Sequence, residues 1–259
     1  MKNSKRALVT GSTSGIGLAT ARVLASHGID IVLNGLEPQQ EGDELARELA
    51  GQYAVNTLYC PADLSRPEKI RQMMTDIGQA GGINILVNNA GIQFTSPLLD
   101  FPAEKWDQIM AINLSAAFHT TQQALPMMLD DGWGRIINIA SVHGLVASVY
   151  KSAYCAAKHG LIGLTKVVAL EQAANNITAN AICPGWTDTP LLNDQFKSYS
   201  KQHGVTFDEA KLGLIQSKAP YPRLVAPSEI GELAYFLCTD AARAITGTSM
   251  PIDGAWTAH

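Results

Sequence analysis

Cysteine is scarce in this chain: four residues of 259, at Cys60, Cys155, Cys183 and Cys238. They are scattered, without the paired spacing of a metal site or the density of a disulfide scaffold, so no metal is expected. Reduced core thiols and a cytoplasmic setting are expected instead. No apolar run is long enough to span a bilayer. The opening MKNSKRALVTG passes almost at once into a strand-like run, so no cleavable leader is expected. Charge is modest, at 16% of residues with a net value of −4, and no block carries one sign. That balance excludes phosphate-backbone binding as the main task and leaves no interaction tail, so neither nucleic acid nor membrane is an expected partner. Linkers, low-complexity tracts and repeats beyond the strand–helix unit are also missing, and the expectation is a single domain over 1–259.

What is present is a regular alternation. Short apolar strands are expected at 6–10, 29–34, 55–60, 83–87, 135–140, 178–183 and 248–252. Helical patterns fall between them, at 16–27, 41–52, 67–79, 102–112, 114–129, 152–174 and 227–238. Continuous apolar strands alternating with helices predict an α/β fold, a doubly wound parallel sheet of about seven strands with helices on both faces. Between 189 and 225 the alternation lapses into two short helical patterns bracketed by Pro190 and the Pro220–Pro222 pair. The expectation there is a small helical lid over the site, with a plain surface excursion as the alternative.

Ligands of such sheets bind beyond the carboxyl ends of the strands. The glycine cluster Gly11, Gly15 and Gly17 sits between the first strand and the first helix. There, backbone N–H groups at a helix start can hold a pyrophosphate. Asn89, Ser141 and Pro184 also follow strand ends and should meet that turn in one crevice. Tyr154 and Lys158 are four residues apart, on one face of the long helix pattern. A bare phenol, with a pKa near ~10, is a poor base at neutral pH. A neighbouring ammonium should lower that value and let Tyr154 exchange a proton with an alcohol or ketone, with Ser141 donating to the same oxygen. Taken alone, the pair is better read as an ordinary helix-surface contact; the convergence of strand ends is what favours chemistry.

Thr10-Gly11-xxx-Gly15-x-Gly17, Asn88-Asn89-Ala90-Gly91, Asn113, Ser141, Tyr154-xxx-Lys158 and Pro184-Gly185 together resemble the short-chain dehydrogenase/reductase family over essentially the whole chain. NNAGIQ at 88–93, INIAS-x-HGLVAS at 137–148, KSAY-x-AAKHG at 151–160 and ITANAICPGW at 177–186 resemble its bacterial D-3-hydroxybutyrate dehydrogenase branch. The resemblance implies a Rossmann-type homotetramer that binds NAD and reversibly oxidises (R)-3-hydroxybutyrate to acetoacetate. It assigns Tyr154 as acid/base, Lys158 as pKa tuner and ribose anchor, Ser141 as orienter of the carbonyl, and Asn113 as holder of a relay water. It also implies cofactor contacts from Gly11, Thr13, Ser14, Gly15, Ile16 and Gly17 in the first turn. Further contacts are implied from Gly35, Leu36, Asp63 and Leu64, from Asn89, Ala90 and Gly91, and from Pro184, Gly185, Thr187 and Thr189.

A ketoacid needs a group to meet its carboxylate. Gln93, His143 and Lys151 all lie beside the catalytic set and are the candidates, Lys151 as the point charge. Trp186 and Trp256 are expected to wall a small acyl pocket, and Gln195 to reach in from the insert. Cofactor choice should be set at Asn34-Gly35-Leu36-Glu37, where no Arg or Lys awaits the extra phosphate of NADP. The acid usual in NAD-selective relatives would fall near Gly35 and is missing, so Glu37 is the candidate to replace it. Two other readings stay open: a carbonyl reductase for another hydroxy acid or neutral ketone, and a dinucleotide-sensing protein without catalysis.

Overall fold

The structure, a computed structural model, describes residues 5–258, apart from the side chains of residues 190, 191, 194, 195, 198 and 202. Seven strands form one sheet: β1 (Arg6–Val9), β2 (Asp30–Gly35), β3 (Thr57–Pro61), β4 (Ile85–Asn88), β5 (Gly134–Ile139), β6 (Ile177–Pro184) and β7 (Ser249–Ile252). Their order is β3-β2-β1-β4-β5-β6-β7, and every pairing is parallel. The winding direction reverses between β1 and β4, which opens a crevice beyond their carboxyl ends.

Strand side chains alternate between two cores, as a two-residue period requires. Ala7, Val9, Ile31, Leu33, Val87 and Ile139 face one core, with α1 (Gly15–Ser26) and α9 (Pro227–Leu237) packed over them through Leu24, Ile230 and Ala234. Leu8, Val32, Leu86 and Ile136 face the other. It is closed by α3 (Pro67–Gln79), α5 (Ala116–Asp131) and α6 (Ser152–Gln172) through Ile70, Met74, Met128 and Val168. Each fully buried aliphatic contributes about 1.5–3 kcal/mol relative to exposure, so this double core is what holds the strand ends in register. Strands β2, β5 and β6 are buried along their whole length, and their polar members are paired there: Asn138 Nδ2 donates to Thr165 Oγ1 and Asn180 Nδ2 to the Ile245 carbonyl.

Beyond α2 (Gln39–Tyr53), the chief departure from expectation lies at 103–131. Instead of two separate helices, α4 (Ala103–Met110) runs on through a π-helical turn at Ala111–Ser115 into α5 with the backbone in the right-handed helical region throughout. Asn113 sits in that turn, and its amide is tied to Ile92 twice: Oδ1 accepts from Ile92 N at 2.9 Å and Nδ2 donates to Ile92 O at 2.9 Å. Apolar periodicity cannot announce one extra residue in a helical turn.

The insert contains α7 (Pro190–His203) and α8 (Phe207–Gln216), which share a small core of Leu192, Phe196, Ile215 and Leu224. Helix α8 starts at a reciprocal cap, Glu209 N donating to Thr206 Oγ1 and Thr206 N to Glu209 Oε2. The two ends of the insert meet in a parallel bridge between Thr187 and Val225. Among the described residues, no helix is long and apolar enough to cross a membrane.

Candidate active site

A cavity of about 430 Å³ opens beyond the carboxyl ends of β1, β2, β4, β5 and β6. Its walls hold Gly11, Thr13, Ser14, Gly15 and Ile16; Gly35, Leu36, Asp63 and Leu64; Asn89, Ala90 and Gly91; and Pro184, Gly185, Thr187 and Thr189. Ser141, Tyr154 and Lys158 line its inner end together with Gln93, His143, Lys151, Trp186 and Trp256. Gly17 and Asn113 stand behind this wall, and the Gln195 side chain lies outside the described residues.

The first turn is shaped for close approach. Gly11 and Gly15 have φ of +58° and +54°, a region that side chains resist. A Cβ on Gly17 would run into the Gly11 carbonyl and the Asn89 amide. The turn is braced from two sides. Asn34 Oδ1 accepts from Gly11 N at 3.2 Å, and Asn89 Nδ2 donates to the Thr10 and Gly11 carbonyls at 2.9 and 3.0 Å. Thr10 Oγ1 returns the support by accepting from the N–H groups of Asn89 and Ala90. Helix α1 then begins at Ser14 with no side-chain cap and no acid in its first turn, which leaves its N–H groups open toward an anion.

At the other end of this half of the cavity the lining is acidic. Tyr59 Oη donates to the Glu37 carbonyl at 2.8 Å and reaches Glu37 Oε2 at 3.5 Å. This holds the Glu37 carboxylate in the space a side chain on Gly35 would fill. The acid missing from position 35 is thus delivered from two residues further on. Asp63, bonded by the Ser65 hydroxyl and N–H, is held below the usual carboxylate range. The cavity, the glycine turn and the open helix end fit a dinucleotide.

At the inner end, Ser141 leaves β5 in extended backbone, and α6 carries Tyr154 and Lys158 on one face. Lys158 is almost fully buried and donates to the Ile139 carbonyl at 2.7 Å, with its Nζ 5.7 Å from the centre of the Tyr154 ring. Burial pushes Lys158 down to about 8. The expected lowering of the Tyr154 pKa is reversed. Burial drives it up to about 12, and the Ser141 hydrogen bond offsets only part of the rise. The helical spacing correctly placed the two groups on one face, but desolvation sets the direction of the shift.

Lys151 is also buried, pushed down to about 8 by desolvation, with Nζ 3.5 Å from Gln93 Oε1 and 5.8 Å from the centre of the Trp186 ring. His143 is brought to the same wall, but as a neutral ring. Burial first, and then the Lys151 charge, lower it to about 3. Trp186 and Trp256 stand with ring centres 5.2 Å apart, and Trp256 packs edge-on to His143 at 5.5 Å.

A family model described as enoyl-(acyl carrier protein) reductase matches residues 11–257. The chain belongs to the short-chain dehydrogenase/reductase family. Among its relatives are the D-beta-hydroxybutyrate dehydrogenases of Cupriavidus necator, 50% identical over all of both chains, and of Rhizobium meliloti, 48% identical over 99% of this chain and 100% of that one. The seven-stranded sheet matches that of the L-sorbose reductase from Gluconobacter frateurii, solved as a complex with NADPH and L-sorbose. The TM-score is 0.92 and the identity 31%, over 97% of this chain and 96% of that one. For this dehydrogenase/reductase, sequence reasoning missed several wall residues. Leu192 enters from the insert, and Ile92 and Val142 come from loops after β4 and β5. Ile92 and Val142 fall inside the NNAGIQ and INIAS-x-HGLVAS stretches, whereas no motif marks Leu192; the apolar character of all three suggested packing, not a site.

Proposed function

We propose that the enzyme reversibly oxidises (R)-3-hydroxybutyrate to acetoacetate with NAD. The observation that carries this reading is the buried Lys151–Gln93 pair, set in the same cavity as Ser141, Tyr154 and Lys158 and backed by two indoles. A buried cation with one polar neighbour suits a small carboxylate, and Trp186 and Trp256 wall the space beside it. The names borne by the relatives at 50% and 48% identity support the same substrate.

Bound along the glycine turn, the nicotinamide dinucleotide supplies the hydride acceptor. The chain's own work is alignment and one proton. Ser141 donates to the substrate oxygen, and Tyr154 accepts the hydroxyl proton in oxidation or returns it in reduction. The Lys158 ammonium stabilises the anionic phenol and passes the proton outward toward Asn113. Because burial holds the phenol near 12, its resting form is the acid. Oxidation therefore gains as pH rises, and reduction does not.

NAD is favoured over NADP by the Glu37 carboxylate above Gly35 and by the lining itself: among the described residues its only cations, Lys151 and Lys158, stand at the inner end. The insert serves as the lid, with Gln195 on it. Four free thiols accord with the cytoplasm, and exposed Phe118, Val167 and Leu170 on α5 and α6 accord with a homotetramer. Steady-state rates with NAD and NADP, against (R)-3-hydroxybutyrate and its methyl ester, test the reading. Equal rates for acid and ester would remove the carboxylate, and with it the substrate.

A further inference from the structure

Glycine inside a helix lowers stability, because it has the most backbone freedom to lose. Gly42 is buried in α2, and its φ is not positive, so no turn requires it. What requires it is Tyr59 of β3: a Cβ at position 42 would run into Cγ, Cδ1 and Cε1 of that ring. The missing side chain lets the ring lie directly against the helix. Tyr59 is 2% exposed, and from this slot its Oη donates to the Glu37 carbonyl at 2.8 Å and reaches Glu37 Oε2 at 3.5 Å. Burial first, and then the Glu37 charge, push the phenol up to about 12, so it stays a donor. Gln39 closes the slot, its Nε2 donating to the Tyr59 carbonyl at 3.3 Å and to Asp43 Oδ1 at 2.9 Å. Leu36 and Pro38, on either side of Glu37, are exposed, so packing of the loop does little to hold the acid. Its restraint comes from the phenol behind it. Gly42 and Tyr59 stand outside the cavity lining, whereas Glu37 is part of it.

We propose that Gly42 and Tyr59 are positioning residues for cofactor choice: the glycine admits the Tyr59 ring against α2, and the Tyr59 hydroxyl holds the Glu37 carboxylate beside Gly35 and Thr13, where it accepts from the ribose 2′-hydroxyl of NAD and repels the 2′-phosphate of NADP. An acid beyond the second strand of such a sheet is suited to the ribose. A charge on a loop discriminates only where its conformation is fixed, since a free side chain swings away from a phosphate it would otherwise oppose. The proposal rests on the reading of Glu37 as the group that selects NAD.

Equilibrium binding of NADH and NADPH to the full-length protein, followed by nicotinamide fluorescence, tests it without turnover. The quantity read is the ratio of the NADPH to the NADH dissociation constant. Tyr59→Phe keeps the ring and removes only the hydroxyl, and should lower that ratio about two- to tenfold, the net worth of one hydrogen bond. Gly42→Ala, which forces a Cβ into the ring, should lower it in the same direction. Glu37→Gln should lower it at least as far, and in that background Tyr59→Phe should no longer lower it, because the two residues act as one unit. A merely structural tyrosine would weaken both cofactors alike and leave the ratio unmoved. An unchanged ratio in Tyr59→Phe or in folded Gly42→Ala, or an equal further fall when Tyr59→Phe is added to Glu37→Gln, would overturn the proposal while the NAD reading stands. A wild-type protein that binds NADPH as tightly as NADH, or a preference for NADH that Glu37→Gln leaves intact, would defeat the reading of Glu37 and the proposal with it.

Discussion

Replacing Lys151 with Met removes one charge from the inner end of the cavity while keeping most of the side chain's volume. Lys151 is 9% exposed and its Nζ has Gln93 Oε1 at 3.5 Å, so a bound carboxylate there forms a largely desolvated, charge-assisted pair. Such a hydrogen bond is worth about 1.5–3 kcal/mol, which converts to a loss in kcat/KM of about ten- to 150-fold. The loss should fall on (R)-3-hydroxybutyrate and spare its methyl ester, which has no charge to meet. Proton linkage sharpens the test. Lys151 is pushed down to about 8, so the cation, and with it the preference for acid over ester, is present below that pH and disappears above it. Lys158 also lies near 8, but its titration affects acid and ester alike and cancels in their ratio. Measured from pH 6 to 10, the acid-to-ester ratio of kcat/KM should therefore fall through about pH 8 in the wild type and be low and flat in Lys151→Met. Equal losses for acid and ester would show that Lys151 only supports the fold and would refute the carboxylate site.

Tyr154→Phe should abolish turnover to background while a fluorescence titration still shows NADH binding; retained turnover would remove Tyr154 from the proton path. Gly17→Ala forces a Cβ against the Gly11 carbonyl and Asn89, so the melting curve should record a loss of about 1–3 kcal/mol. NADH affinity should drop with it. Leu36, 77% exposed at the cavity mouth, offers a place for a cation, and Glu37→Gln removes the opposing charge. The double variant Leu36→Arg/Glu37→Gln should raise the NADP-to-NAD ratio of kcat/KM by about tenfold or more; no change would mean that these two positions do not select the cofactor.

The sheet was legible in the letters because each βα unit carries its own signature. Short, mostly apolar runs mark strands such as β1 and β4, and the glycine cluster marks the first turn by its place between strand and helix. Side chains that follow strand ends had to meet, since a parallel sheet aligns those ends; the structure brings Ser141, Tyr154, Lys158, Lys151 and Gln93 to one cavity. What stayed hidden depends on three-dimensional detail that no spacing encodes. The π-helical turn at Ala111–Ser115 keeps the apolar pattern nearly intact while changing where Asn113 stands. The arrival of the Glu37 carboxylate over Gly35 depends on a hydrogen bond from Tyr59, a residue of another strand. Pairing by charge suggested a lowered phenol pKa, yet the sign is set by how deeply Tyr154 is enclosed. Ser148 was visible only as part of a motif until its hydroxyl was found against His143.

The bridge between Thr187 and Val225 has a wider meaning for how such an enzyme diversifies. Two neighbouring anchor points leave the sheet undisturbed whatever chain is strung between them, much as a socket accepts different plugs. The loop-borne half of substrate choice can then drift, lengthen or be transplanted while the redox half, rooted in β1, β4 and α6, keeps its alignment. A chimaera carrying another family member's 190–224 segment would exchange the Leu192 side of the wall while keeping the Lys151–Gln93 pair and its own electron chemistry.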